Sequence, residues 1–111
     1  MHVYSSPISY TLERNLNVSI HGRPIRGELG TKIVFESMDS YGNILNRGET
    51  VILPEEILHF SNHLVENGIT ISAVHNHWLF TEPNILYIHF QSVEPPLIFV
   101  RKISEALKVL K

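Results

Sequence analysis

His75-Asn76-His77 and His89 carry the densest chemistry in the chain, within a total of seven histidines in 111 residues. Both groups fall in β-rich runs, Ile69–Leu79 and Ile85–Gln91. Side chains alternate along a strand, so His75 and His77 project from one side with Cα atoms roughly 6.5–7 Å apart. If the two runs form a hairpin, any even register sum, 164 or 166 for a turn centred near Glu82-Pro83, adds His89 to that side. Three imidazoles, with a Glu82 carboxylate from the turn, form a donor set that accepts zinc, iron, manganese or nickel and leaves a position open for water. The same rings can shuttle protons or, with Asn76 and Glu82, hold a small polar ligand. A plainer reading stands beside this one. His75 and His77 share their parity with Ile69, Ile71, Ala73 and Leu79, so they could be the hydrogen-bonded polar end of a core face in a non-enzymatic interaction module.

Other constellations carry less. His59 and His63 have i, i+4 helical spacing but lack the intervening glutamate of a zinc protease motif. The glycines at 22, 27 and 30 match no phosphate-binding loop, and no serine sits in a G-x-S-x-G elbow. The absence of cysteine excludes disulfide scaffolds, thiolate nucleophiles and iron–sulfur clusters.

The elements that must position these residues follow from pattern and punctuation. Ile8–Leu12 alternates as an edge strand would. Asn17–Ile20 and Lys32–Glu36 read as two strands expected to pair, separated by a His21-Gly22-Arg23-Pro24 turn. Glu49–Leu53 reads as a third, closed by Pro54. A helix is expected over Pro54–Asn67, with Pro54 at its first turn, Glu55 and Glu56 facing the positive end of its dipole, and Gly68 just past its end. Its apolar stripe would be Ile57, Phe60 or Ser61, Leu64 and Val65. After the two histidine-bearing runs, Leu97–Leu110 reads as a closing helix with Ile98, Ile103, Ala106, Leu107 and Leu110 inward. The order β-β-β-α-β-β-α implies an α+β fold, an antiparallel or mixed sheet with two helices on one face. Residues 1–14 form a lead-in or edge strand and 15–111 a single domain.

Nine basic and eleven acidic residues give a formal charge of −2. That balance offers no basic stripe for nucleic acid, and no run approaches the roughly 18 apolar residues of a membrane span. The start, Met1-His2-Val3-Tyr4-Ser5-Ser6-Pro7, lacks a basic region followed by an apolar one, so a cytoplasmic location is expected.

Two resemblances rest on these residues. Gly68, six residues, His75-x-His77, four residues and Glu82 resemble the first metal motif of the cupins, although His89 stands where a cupin has glycine and a helix ends the chain. Asn17-Val18-Ser19-Ile20-His21-Gly22, Val51-Ile52-Leu53-Pro54-Glu55-Glu56, the run from Glu66 to His77 and Ile88-His89-Phe90 resemble one repeat of the LppY/LpqO family, a bacterial domain of unknown function. That resemblance implies a bacterial origin and a shared role for His75, Asn76, His77 and His89. Relatives often carry two tandem repeats, so a single repeat is expected to form a homodimer, with Ile8–Leu12 or Val18–Ile20 as the available edge.

Overall fold

In the computed structural model, which describes residues 7–110, alternation of apolar and polar side chains builds one large antiparallel sheet. Residues 1–6 of the expected lead-in and Lys111 lie outside the described residues. The sheet comprises β1 (Ile8–Glu13), β4 (Gly30–Glu36), β5 (Ile44–Ile52), β8 (Leu86–Glu94) and β6 (Thr70–His75), side by side in that order. A smaller sheet places β2 (Ser19–Ile20) between β3 (Arg23–Pro24) and β7 (Thr81–Glu82). Helices α1 (Ile57–Glu66) and α2 (Pro96–Leu107) complete an α+β fold, as the element order implied.

One expected pairing does not form: Asn17–Ile20 does not lie against Lys32–Glu36. His21 and Gly22 both have positive φ, 51° and 76°, the geometry of a tight two-residue hairpin turn, and they fold Arg23-Pro24 straight back onto Ser19-Ile20. β4 is taken instead by β1 on one side and β5 on the other. β5 also begins earlier than Glu49, because the Asp39 carboxylate accepts the Tyr41 and Asn43 N–H groups in a turn that launches the strand at Ile44.

The first helix follows its signals. Pro54–Glu56 form a 3₁₀ turn, and the Glu56 carboxylate accepts the Leu53 N–H at 2.9 Å. Glu56 also takes a bidentate contact from Arg14, with both N–O distances 2.9 Å, tying the end of β1 to the helix entry. At the other end Ile69 N–H reaches the Leu64 carbonyl and Gly68 N–H the Val65 carbonyl. This Schellman closure needs the left-handed conformation that Gly68 adopts at φ 76°. Val65 is exposed rather than part of the buried stripe, which is Phe60 and Leu64. In α2 the buried residues are Phe99, Ile103 and Ala106, with Ile98 exposed.

Both helices pack on the same side of the large sheet, where Phe60, Leu64, Phe99, Ile103 and Ala106 meet Ile33, Phe35, Ile44, Ile52, Ile88 and Phe90. Gly48 lies opposite Phe90, and a Cβ on it would sit 2.2 Å from the ring, so the strand is bare where the aromatic crosses it. The other side carries a smaller core of Val18, Leu29, Val51, Ile85 and Tyr87, which seats the three-stranded sheet over one end. The rest of that side is open.

Candidate functional site

A single extra residue in β6 decides which histidines meet. Thr70 and Ile71 pair with Gln91 and Phe90, then Ser72 is skipped, and Ala73, Val74 and His75 pair with His89, Ile88 and Tyr87. This β-bulge reverses the parity of the strand. Ile71 points to the helices with Phe90, whereas Ala73 and His75 point to the open side with His89 and Tyr87. The sequence reading that put Ile71 and His75 on one face is therefore corrected: were Ser72 paired in the ladder instead of skipped, His75 would fall opposite Leu86, on the helix side. The register sum is 162, not 164 or 166, but it is even, and His75 and His89 share a face.

Their rings are close to parallel, with centroids 4.8 Å apart and planes 17° from one another, and meet at their Nε2 edges, the two Nε2 atoms 2.8 Å apart. His75 Nδ1 lies 3.0 Å from the Asn76 carbonyl oxygen. On the far side of the pair, His89 Nδ1 lies 3.8 Å from Glu49 Oε2, because β5 and β8 set Glu49 directly opposite His89. Hydrogen-bond chemistry then fixes the tautomers. A carbonyl only accepts, so His75 carries its proton on Nδ1 and, when neutral, a lone pair on Nε2. His89 must donate from Nε2. Its Nδ1 is left with a lone pair facing the Glu49 carboxylate, and a further proton placed there forms a charge-assisted contact.

His77 does not converge with the other two. β6 ends at His75, and His77 lies in the bend beyond it, its ring 6.4 Å from His75, 4.9 Å from Tyr87 and 4.4 Å from Trp78 by centroids. The expected three-ring cluster is thus a pair with a neighbour. Glu82 sits in β7 opposite Ser19 in the small sheet, away from the pair's own partners. Among the described residues no group of three or more His, Asp or Glu side chains is placed to hold a metal ion. Asn76 reaches across the base of the loop, its amide 3.4 Å from Asn84 Oδ1 and from the Ile85 carbonyl.

Tyr87 supports the pair from below. Its hydroxyl donates to the Glu28 carbonyl, its ring lies near those of His75 and His77, and burial, reinforced by the charges of Glu28 and Glu49, pushes the phenol up to about 12. Beside the pair the open face forms a cleft of about 300 Å³, lined by Lys32, Arg47, Glu49, Ser72, His89 and Gln91 among others. Glu49, Lys32 and Arg47 escaped the sequence reading. Their partners are strands far away in the chain, and only the alternation of Arg47 and Glu49 with Gly48 and Thr50 hinted at a polar face.

A helix-backed antiparallel sheet that carries a histidine pair on its exposed face defines a small α+β domain with a polar site. The chain belongs to a family described as a domain of unknown function, DUF1259, whose model matches residues 3–109. No curated protein and no solved structure matches it. Among the described residues no helix is long and apolar enough to cross a membrane.

Proposed function

We propose that the open face binds a small polar molecule in the cleft beside Glu49 and His89, and that the His89–His75 pair moves a proton to or from it. The Nε2–Nε2 contact of 2.8 Å carries this reading, because two imidazole nitrogens meet at that distance only with a proton between them. A proton taken up at His89 Nδ1 is held by Glu49, while the Nε2 proton of His89 can pass to His75. The charge is then shared by two rings. Asn76 contributes its carbonyl, which orients His75, and the groups around the pair are Glu49 from β5, Tyr87 from β8 and His77 beyond β6. Within the family, the contiguous His75-Asn76-His77 followed by His89 supports regarding the chain as one LppY/LpqO-like repeat.

The test is a pH titration of the histidine ring carbons by NMR. His75 and His89 are expected to respond as a coupled pair, and His75→Gln should change the His89 curve while leaving those of His59 and His63 alone. Two independent curves, unaffected by substitution of the partner, contradict the proposal. Titration in the presence of Zn²⁺, Mn²⁺, Ni²⁺ or Fe²⁺ covers the metal expectation. An ion that replaces the shared proton would displace both Nε2 atoms from each other and favour a metal site instead.

A second reading, self-association, has its own observation. All six residues of β1 are exposed, with Ile8, Tyr10 and Leu12 in a row on the helix side. The Arg14 N–H donates to the carbonyl of Leu29, just before the adjoining β4, and the alternation this begins turns the backbone groups of Ser9, Thr11 and Glu13 outward. A second copy pairing antiparallel across a two-fold axis would satisfy those groups and set the two apolar rows side by side.

A further inference from the structure

We infer that the molecule bound in the cleft carries an oxyanion, a carboxylate or a phosphate, held by Lys32 and Arg47. This rests on the reading of the open face as a polar-ligand site and names the class of ligand. The sheet register places the two cations. Lys32 lies opposite Glu49, and Arg47 lies two residues further along β5, opposite Val34, so the two bases are diagonal neighbours on adjacent strands. At that spacing long side chains reach a common point above the sheet. Gln91 stands opposite Arg47 on the next strand and brings an amide to the same cleft.

Which groups are already engaged decides the sign of the ligand. Glu36 takes the Arg47 Nε–H at 2.7 Å and fixes the plane of the guanidinium, and Glu49 faces His89. Among the described residues, the terminal amino groups of Arg47 and the ammonium of Lys32 have no hydrogen-bond or ion-pair partner. The uncommitted cations in the cleft are therefore donors beside one acceptor, Glu49, and an oriented guanidinium with two free amino groups matches the two oxygens of a carboxylate or phosphate. Lys32 and Arg47 are offset in charge by Glu36 and Glu49. A ligand that pairs its oxyanion with a neighbouring hydroxyl is favoured, since the hydroxyl can donate to Glu49 while the oxyanion meets the cations. A cleft of about 300 Å³ suits a molecule of this size.

The experiment is an NMR titration of the uniformly ¹⁵N-labelled full chain with three probes: inorganic phosphate, glycolate and acetate. Saturable shifts confined to Lys32, Arg47, Ser72, His89 and Gln91 are expected. Phosphate outranking glycolate assigns a phosphate ligand, and the reverse a carboxylate, with glycolate binding more tightly than acetate if the hydroxyl meets Glu49. Lys32→Gln and Arg47→Gln, both at exposed positions, should each weaken the preferred probe at least tenfold, the loss of one charge-assisted hydrogen bond. Unsaturable shifts spread over all surface bases, or affinities unchanged in both variants, would overturn the inference. The histidine curves without any probe are read separately. Coupled curves with no anion response reject the ligand class alone, and uncoupled curves reject the proton-transfer reading alone.

Discussion

The two faces of the five-stranded sheet are made from the same strands and do opposite work. Along β5, Ile44, Asn46, Gly48, Thr50 and Ile52 point to the helices and are buried, whereas Leu45, Arg47 and Glu49 on the other side are partly or fully exposed. Along β8, Ile88 and Phe90 are sealed beneath α1 and α2, and His89 and Gln91 look outward. Neighbouring residues one position apart thus answer to different pressures. The helix face sets stability and the open face sets chemistry, and at the Ser72 bulge a change in backbone moves a side chain from one regime to the other.

The largest expected effect comes from the buried face. Phe90→Ala removes a ring that packs against Phe60 and Phe99 and spans Gly48, and it should cost about 3–5 kcal/mol in urea unfolding. Gln91→Ala, its immediate neighbour on the open face, should stay within about 0.5 kcal/mol. Equal costs at the two positions would break the contrast between the faces.

Much of the helix face was legible because its signals are local. Pro54, Glu55, Glu56 and Gly68 mark the ends of the first helix in a few residues, and β-branched and aromatic enrichment in Lys32–Glu36 and Ile85–Gln91 reveals strands. The site was only half legible. An even register brings His75 and His89 to one face, but β6 starts in an odd one and only the bulge makes it even, and nothing in the residues around Ser72 announces a bulge, since the extra residue is defined by the partner strand. Glu49 was missed because its neighbour His89 is forty positions away, and Glu82 was favoured because it is close in sequence. The wrong pairing of Asn17–Ile20 has the same origin: His21-Gly22 turns the chain too soon, and the edge of β4 goes to β1.

A smaller effect sharpens the comparison where the faces meet. Tyr87 points to the open side yet is 2% exposed beneath the small sheet. Its phenol is raised in the folded protein from 10.0 to about 12, so between those values the folded state holds a proton that the unfolded chain has lost. Stability is therefore unaffected by this group below pH 10 and falls as pH rises towards 12, by at most about 2 kcal/mol. Tyr87→Phe should remove that slope in alkaline unfolding curves, and a slope that survives would place its origin elsewhere.

The smallest effect concerns the sheet's free edge. Thr11→Pro deletes an outward N–H without disturbing the ladder to β4, and it should lower the proportion of species at twice 12.7 kDa in sedimentation equilibrium. A wild-type chain that sediments only at 12.7 kDa would remove self-association and leave both faces as described.

The joining of the two histidines by the Ser72 bulge is tested most directly by long-range ¹H–¹⁵N correlation spectra of the imidazole rings, recorded for the wild-type chain and for a variant lacking Ser72. In the wild type His75 should be protonated at Nδ1 and His89 at Nε2, and because Ser72 is the residue the ladder leaves out, its deletion should make β6 a regular strand, keep His75 opposite Tyr87 and leave that pattern in place. Nε2 protonation of both rings in the wild type, or a His75–His89 pattern that the deletion abolishes, would contradict it.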